Sequence, residues 1–224
     1  CLSERYRAEL LASVPGIDGL MGTRDLADIL PLMRAFNEHP QSHSEIYFPG
    51  HAHIVNHHEL PGYMIQGGSS YLKIADGCRR SCAFCAIPGI KGTLTSRPKE
   101  DIIKDAYALQ AAGIQEINII AQDVTDYGQD FGLTDGLPGL LADLLPAIPH
   151  VPWVRLLYTY PGYISDRLID MMVDFPQLLP YLDIPLQHAD PKVLQAMRRT
   201  SDVDWVRHTV AKMRAKLPDL VIRT

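Results

Sequence analysis

From residue 71 to its end the sequence predicts an α/β fold built on a parallel sheet, and three observations carry that expectation. Short apolar, β-branched runs alternate with helical stretches. Each helical stretch is long enough to act as the crossover that parallel strands require. The residues between them (Pro98, Gly113, Ser165, Asp190-Pro191) are those of helix starts and stops. A doubly wound sheet and a (β/α) barrel both satisfy this alternation. In either, the chemistry sits at the C-terminal ends of the strands.

Taken in order, "LSERYRAELLASV" has a helical charge pattern that stops at Pro15-Gly16. A second helix is expected from Thr23, with Leu26, Ile29, Leu30 and Met33 on one face. From His39 to Gly68 the texture changes to Pro, Gly, Ser and six of the nine histidines, with no lasting periodicity. This divides the chain into residues 1–38, a linker over 39–68, and a core over 69–224. His39, His43, His51, His53, His57 and His58 fit no ligand spacing, and no cysteine joins them. They read as polar linker residues.

"YLKIA" is then a strand running straight into a cysteine-bearing loop. Ser96 and Pro98 open a helix whose apolar positions are Ile102, Ile103, Ala106 and Leu109, closed by Gly113. "EINIIAQD" is the next strand, followed by a short helix near 140–145. "WVRLLYTY" is the third, and Ser165 caps a helix carrying Leu168, Met171, Met172 and Phe175. "LDIPLQH" is the fourth. Asp190-Pro191 starts a helix, and Ser201 with Asp204 resembles a capping box for another. That last helix sets Val203, Val206, Val210, Met213 and Leu217 on one face, and "LVIRT" is a fifth strand. The cysteine loop, Gln122-Asp123 and Gln187-His188 thus follow three different strands and fall on one rim.

The 224 residues are 46% hydrophobic, ample for a buried core, and the formal net charge is -5. That balance argues against binding nucleic acid by bulk electrostatics. No apolar run is long enough for a membrane span and no secretory signal precedes Cys1, so a soluble, cytoplasmic protein is expected. A start at Cys1 rather than Met, and a stop inside "LVIRT", read as an excised portion of a longer chain.

Three of the four cysteines stand in "DGCRRSCAFCAIPGIKG", at Cys78, Cys82 and Cys85. In a chain of this kind metal or catalysis is a better default than a disulfide framework. Structural zinc usually takes four Cys or His ligands, which here would require a distant one such as His188 or Cys1. A cubane iron-sulfur cluster also ordinarily takes four thiolates. Three would leave one iron open to a substrate or cofactor. A cysteine nucleophile needs no such group of three thiols.

C-x3-C-x2-C on the loop after a first strand, with the aromatic Phe84 before the last cysteine, resembles the radical S-adenosylmethionine (SAM) enzymes. The resemblance implies a partial (β/α) barrel of radical SAM type, preceded by the C-terminal part of a small α/β domain. It implies a [4Fe-4S] cluster on Cys78, Cys82 and Cys85, whose open iron chelates SAM so that its reductive cleavage yields a deoxyadenosyl radical. "DGCRRSCAFCAIPGIKGTLTSRP" looks like the cluster loop of the methylthiotransferases in particular. "CLSERY" resembles the third-cysteine segment of their N-terminal domain. Cys1 would then be a ligand of an auxiliary [4Fe-4S] cluster whose other ligands lie upstream.

Within that family "AQDVTDYGQD", "LLYTYPGYISDRLIDMM" and "YLDIPLQHADPKVLQAMRR" resemble the branch that modifies an aspartate of a small-subunit ribosomal protein. The other branch, which modifies transfer RNA, tends to carry Asn after the Gln of the second strand. Implied with the resemblance are the ribosomal protein as substrate, an electron donor of flavodoxin or ferredoxin type, and no membrane partner. A zinc or iron-sulfur module docking on ribosome or RNA is the non-enzymatic alternative. Phe84, Asp123, Gln187 and Arg223 are the candidate cofactor-binding residues. Gln122 and His188 share the rim but suit turn and helix capping as well. Lys73 has no side-chain direction readable from sequence, and Tyr158 and Tyr160 read as ordinary strand aromatics.

Overall fold

The computed structural model describes residues 2–17, 19–22, 29–38, 45–47, 65–200 and 202–224. Cys1 and the six clustered histidines lie outside them, as do residues 23–28 of the expected second helix. Helix α1 spans Leu2–Ser13 and α2 spans Ile29–Glu38. Strands β1 (Gly19–Met21) and β2 (Glu45–Tyr47) pair in parallel as a small sheet of their own.

The larger sheet has six strands. β3 (Ile65–Gln66) turns at Gly67-Gly68 into β4 (Ser69–Lys73) as an antiparallel hairpin. Every other pairing in this sheet is parallel: β4 with β7 (Glu116–Ile120), β7 with β8 (Trp153–Leu156), β8 with β9 (Leu178–Asp183), and β9 with β10 (Val221–Arg223). Short strands β5 (Ala75–Asp76) and β6 (Thr95–Ser96) form a separate antiparallel pair. Strand order follows chain order from β4 to β10, with β5 and β6 set apart, so each parallel neighbour is reached by one crossover. The helices of those crossovers are α4 (Lys99–Ala111), α5 (Gly136–Ala147), α6 (Asp166–Asp174), and the pair α7 (Pro191–Ala196) and α8 (Val203–Lys216). A short α3 (Ile87–Lys91) lies inside the cysteine loop.

Strand periodicity places the core. Along β7, Ile117 and Ile119 are fully buried while Glu116, Asn118 and Ile120 are not. The buried face continues through Leu72, Val154, Leu156 and Leu182, and packs on Ile102, Ala106 and Leu109 of α4 and on Leu140, Leu141 and Leu144 of α5. Leu168 and Met172 of α6 and Met213 of α8 complete it. Pairing Ser69 with Glu116, Glu116 with Trp153, and Arg223 with Asp183 brings the strand C-termini to one edge. The functional residues stand there.

Several elements differ from expectation for local reasons. The fourth strand begins at Leu178, ahead of the predicted Leu182, and leaves the sheet before Pro185. Pro180 hides its start from a propensity reading, and its register against β8 shifts between Val154 and Leu156, an irregularity that accommodates a residue with no N–H. The helix expected near 140–145 is a full α5. α8 is capped by Asp202, whose carboxylate accepts from the Trp205 N–H at 2.7 Å. Ser201, the expected cap, lies outside the described residues, and Asp204 pairs with Arg207 on the surface instead. Ser165 and Asp190 cap α6 and α7 through their side chains.

Candidate functional site

Strands β5 and β6 clamp the base of the cysteine loop, with Ala75 opposite Ser96 and Asp76 opposite Thr95. Just inside the clamp Gly77 adopts φ +77°, and a side chain there would sit 2.0 Å from the Thr93 carbonyl oxygen. The Cys78 N–H donates to the Gly92 carbonyl at 3.1 Å, which closes the loop on itself. Asp76 accepts from Lys73 at 3.0 Å and from Lys91 at 3.3 Å. Burial alone would raise its pKa, but the two ammonium groups outweigh burial and lower it.

Beside this loop, at the strand C-termini, lies a cavity of about 400 Å³. Cys78, Cys82, Cys85 and Phe84 form one wall. Ile120, Ala121, Gln122 and Asp123 come from the end of β7, Tyr158 and Tyr160 from the end of β8, and Lys73 from β4. Ile87, Arg80 and Arg199 complete the lining. All three thiols are free, two half-buried and Cys85 exposed. Burial pushes the Cys78 thiol up, with the Arg80 backbone N–H, 3.4 Å from its sulfur, pulling the other way. Among the described residues no three Cys, His, Asp or Glu side chains converge closely enough to hold a single metal ion.

Arg80 organises the wall facing the loop. Arg80 donates from Nε and Nη2 to Asp123 Oδ2 at 3.0 and 2.9 Å, and reaches Asp126 at 3.3 Å. Its guanidinium lies 3.7 Å from the ring centre of Tyr163 and 4.5 Å from that of Tyr160. Arg79 pairs with Asp126 at 2.6 Å. Burial would lower the pKa of Arg80, but Asp123 outweighs it and the net shift is upward. Asp123 is 4% exposed, and burial raises its pKa against the opposing hydrogen bonds of Thr125 and Arg80. Asp123 therefore caps the turn at Thr125, holds Arg80 and lines the cavity at once. Gln122 Oε1 is buried with no hydrogen-bond partner among the described residues.

The remaining sequence candidates divide. Tyr158 and Tyr160 line the cavity, against the expectation that they merely pack, and Tyr158 holds an unusual φ of +63°. Lys73 also faces it, tied to Asp76. Gln187 and Arg223 do not line it. Gln187 is exposed at φ +72°, and Arg223, 68% exposed, has Asp183 as a carboxylate neighbour at 3.9 Å. His188 Nδ1 accepts from the Asp190 N–H at 2.9 Å, which makes it part of a turn, and it does not line the cavity. Sequence reasoning missed Arg80 and Arg199. The Arg-Arg pairs in "CRRSC" and "MRRT", each beside a loop at the rim, were the available signal.

The profile of the Radical SAM superfamily matches residues 72–224. The chain belongs to that superfamily. It is 38% identical over its whole length to a protein of Chloroflexus aurantiacus named ribosomal protein uS12 methylthiotransferase RimO, and covers 52% of that protein. Proteins of the same name from a Roseiflexus species and from Trichlorobacter lovleyi are 41% and 37% identical, again over the whole of this chain. The chain spans about half the length of these curated relatives. Among solved structures, the radical SAM methyltransferase TsrM of Kitasatospora setae, with cobalamin and a [4Fe-4S] cluster bound, superposes with a TM-score of 0.54 at 16% identity. That overlap covers 70% of this chain and 30% of the other, and it concerns the fold alone. Among the described residues no helix is long and apolar enough to cross a membrane.

Proposed function

We propose that this chain is the catalytic part of a radical SAM methylthiotransferase acting on an aspartate of ribosomal protein uS12. The observation that carries the proposal is the gathering of Cys78, Cys82, Cys85 and Phe84 with the polar ends of β7 and β8 around one cavity. The similarity to proteins named for that activity supports the choice of substrate.

The donor set fits a [4Fe-4S] cluster: three thiols from one loop, two of them accepting N–H hydrogen bonds of the kind that stabilise cluster sulfurs. When bound, the cluster supplies the electron that cleaves SAM and thereby provides the radical able to take hydrogen from a carbon with no acidic proton. The protein's own groups position and shield. Gln122 offers a buried acceptor that the polar hydrogens of SAM are suited to fill. Asp123 is committed to Arg80, so it acts by fixing the Arg80–Tyr160–Tyr163 wall and leaves SAM to other groups. The buried Tyr160 ring, which lines the cavity, keeps water from that side of it.

A flavodoxin- or ferredoxin-type donor would deliver the electron, and a ribosomal substrate places the reaction in the cytoplasm. Cys1 would hold an auxiliary cluster together with residues beyond this chain. The formal charge of -5 supports a protein substrate over tRNA. The test incubates the reconstituted full-length enzyme, reductant and SAM with uS12 or with unmodified tRNA. Mass spectrometry should find a methylthio group on one aspartate of uS12. Modification of tRNA adenosine alone would overturn the proposal.

A further inference from the structure

Arg199 stands where the end of α7, the cysteine loop and the chain leaving β9 meet. α7 ends in a Schellman turn: the Arg199 N–H donates to the Leu194 carbonyl at 2.9 Å and the Arg198 N–H to the Gln195 carbonyl at 3.0 Å. The left-handed position of that turn, normally glycine, is Arg198 at φ +54°. A side chain in that region is strained and persists only where its surroundings impose it. Here the next residue shows what is imposed. Arg199 projects back onto the cysteine loop, where Nη1 lies 3.7 Å from Cys82 Sγ, while Nη2 donates to the Pro185 carbonyl oxygen. Its guanidinium lies over the Tyr160 ring at 4.5 Å. A backbone bond from the Ala83 N–H to the Met197 carbonyl at 3.0 Å fastens the same turn to the same loop.

The charge accounting sets Arg199 apart from Arg80 across the Tyr160 ring. Arg80 is neutralised by Asp123 and Asp126. No carboxylate among the described residues pairs with Arg199, and its Nε–H is buried without an acceptor. A half-buried cation with an idle donor, in contact with one of three thiols, lacks its anion.

We infer that Arg199 is a positioning residue for the cluster site, which donates a charge-assisted hydrogen bond to the Cys82 thiolate and raises the reduction potential of the group bound there. This rests on the reading of Cys78, Cys82 and Cys85 as cluster ligands. The direction follows from charge. Reduction adds one negative charge to the thiolate-ligated group, and a nearby cation and N–H donor stabilise that state more than the oxidised one. A fixed planar fork can hold sulfur, carbonyl and ring together, which a flexible ammonium cannot do equally well.

The experiment is a potentiometric titration, followed by electron paramagnetic resonance, of full-length reconstituted protein. The relevant signal is the one lost when Cys78, Cys82 and Cys85 are replaced by Ala. Arg199→Met and Arg199→Gln are expected to titrate at a more negative potential than wild type, with Arg199→Lys between. Arg198→Gly, which relieves the turn and leaves Arg199 in place, should titrate as wild type. An unmoved potential in either neutral variant at wild-type iron content overturns the inference while the cluster reading stands. A wild-type protein with no signal dependent on the three cysteines overturns both.

Discussion

Arg97 Nη2 and Asp105 Oδ2 lie 2.7 Å apart with side chains 1% and 0% exposed, a fully sealed ion pair between the "SRP" segment and α4. Arg97 Nη1 also donates to the Lys73 carbonyl at 2.8 Å, and the Tyr127 hydroxyl donates to the Arg97 carbonyl at 2.9 Å. The pair thus pins the end of β4, from which the cysteine loop departs. Replacing Arg97 with Met removes the cation opposite a buried carboxylate. A loss of about 3–5 kcal/mol is expected in denaturant unfolding, part of it recovered when Asp105→Leu is added. A loss under about 1 kcal/mol would show that the pair is not what holds this junction.

Gly77 tests the loop itself. With φ +77° and a virtual Cβ 2.0 Å from the Thr93 carbonyl oxygen, Gly77→Ala cannot close the β5–β6 clamp. Iron incorporated per chain should fall several-fold with little change in helical circular dichroism. Gly89→Ala in the same loop, where a Cβ meets nothing within 4 Å, should keep its iron.

Asp76 gives a pH dependence of known sign. Its folded-state pKa is lowered by Lys73 and Lys91, which outweigh burial, so it adds stability above its ordinary 3.8. That contribution disappears as pH falls through the lowered value. The stability gap between wild type and Asp76→Asn should be full at neutral pH and close as the medium becomes more acidic than 3.8. A gap that widens in acid would reverse the assignment.

Gln122 predicts a trade. An unpartnered buried acceptor costs about 1–3 kcal/mol. Gln122→Met should therefore melt higher than wild type in the absence of SAM, while SAM binding measured by equilibrium dialysis weakens about tenfold or more. Unchanged SAM affinity would leave Gln122 out of the cofactor site.

Much of this was legible in the sequence, because strand and helix alternate with clean caps at Ser165 and Asp190 and because three cysteines share one loop. The place of Asp123 on the rim was legible from its position at a strand end, but its commitment to Arg80, in place of the expected cofactor contact, was not. The misses have physical causes. Pro180 concealed the start of β9, since propensity alone cannot see a register shift. Gln187 and Arg223 follow or end strands at the correct rim, yet Gln187 is turned to solvent by a left-handed backbone and Arg223 extends into solvent beside Asp183, directions only coordinates give. Arg80 and Arg199 act through partners 43 and 117 residues away, Asp123 and Cys82, a distance no local pattern spans.

The most direct test of the account is iron and sulfide analysis with electron paramagnetic resonance of the anaerobically reconstituted full-length protein. Wild type reduced with dithionite should show a [4Fe-4S] signal that changes shape when SAM is added. The variant with Ala at Cys78, Cys82 and Cys85 should lack that signal and the iron that goes with it. A triple variant that keeps full iron content and a SAM-sensitive signal would contradict the assignment of these three cysteines.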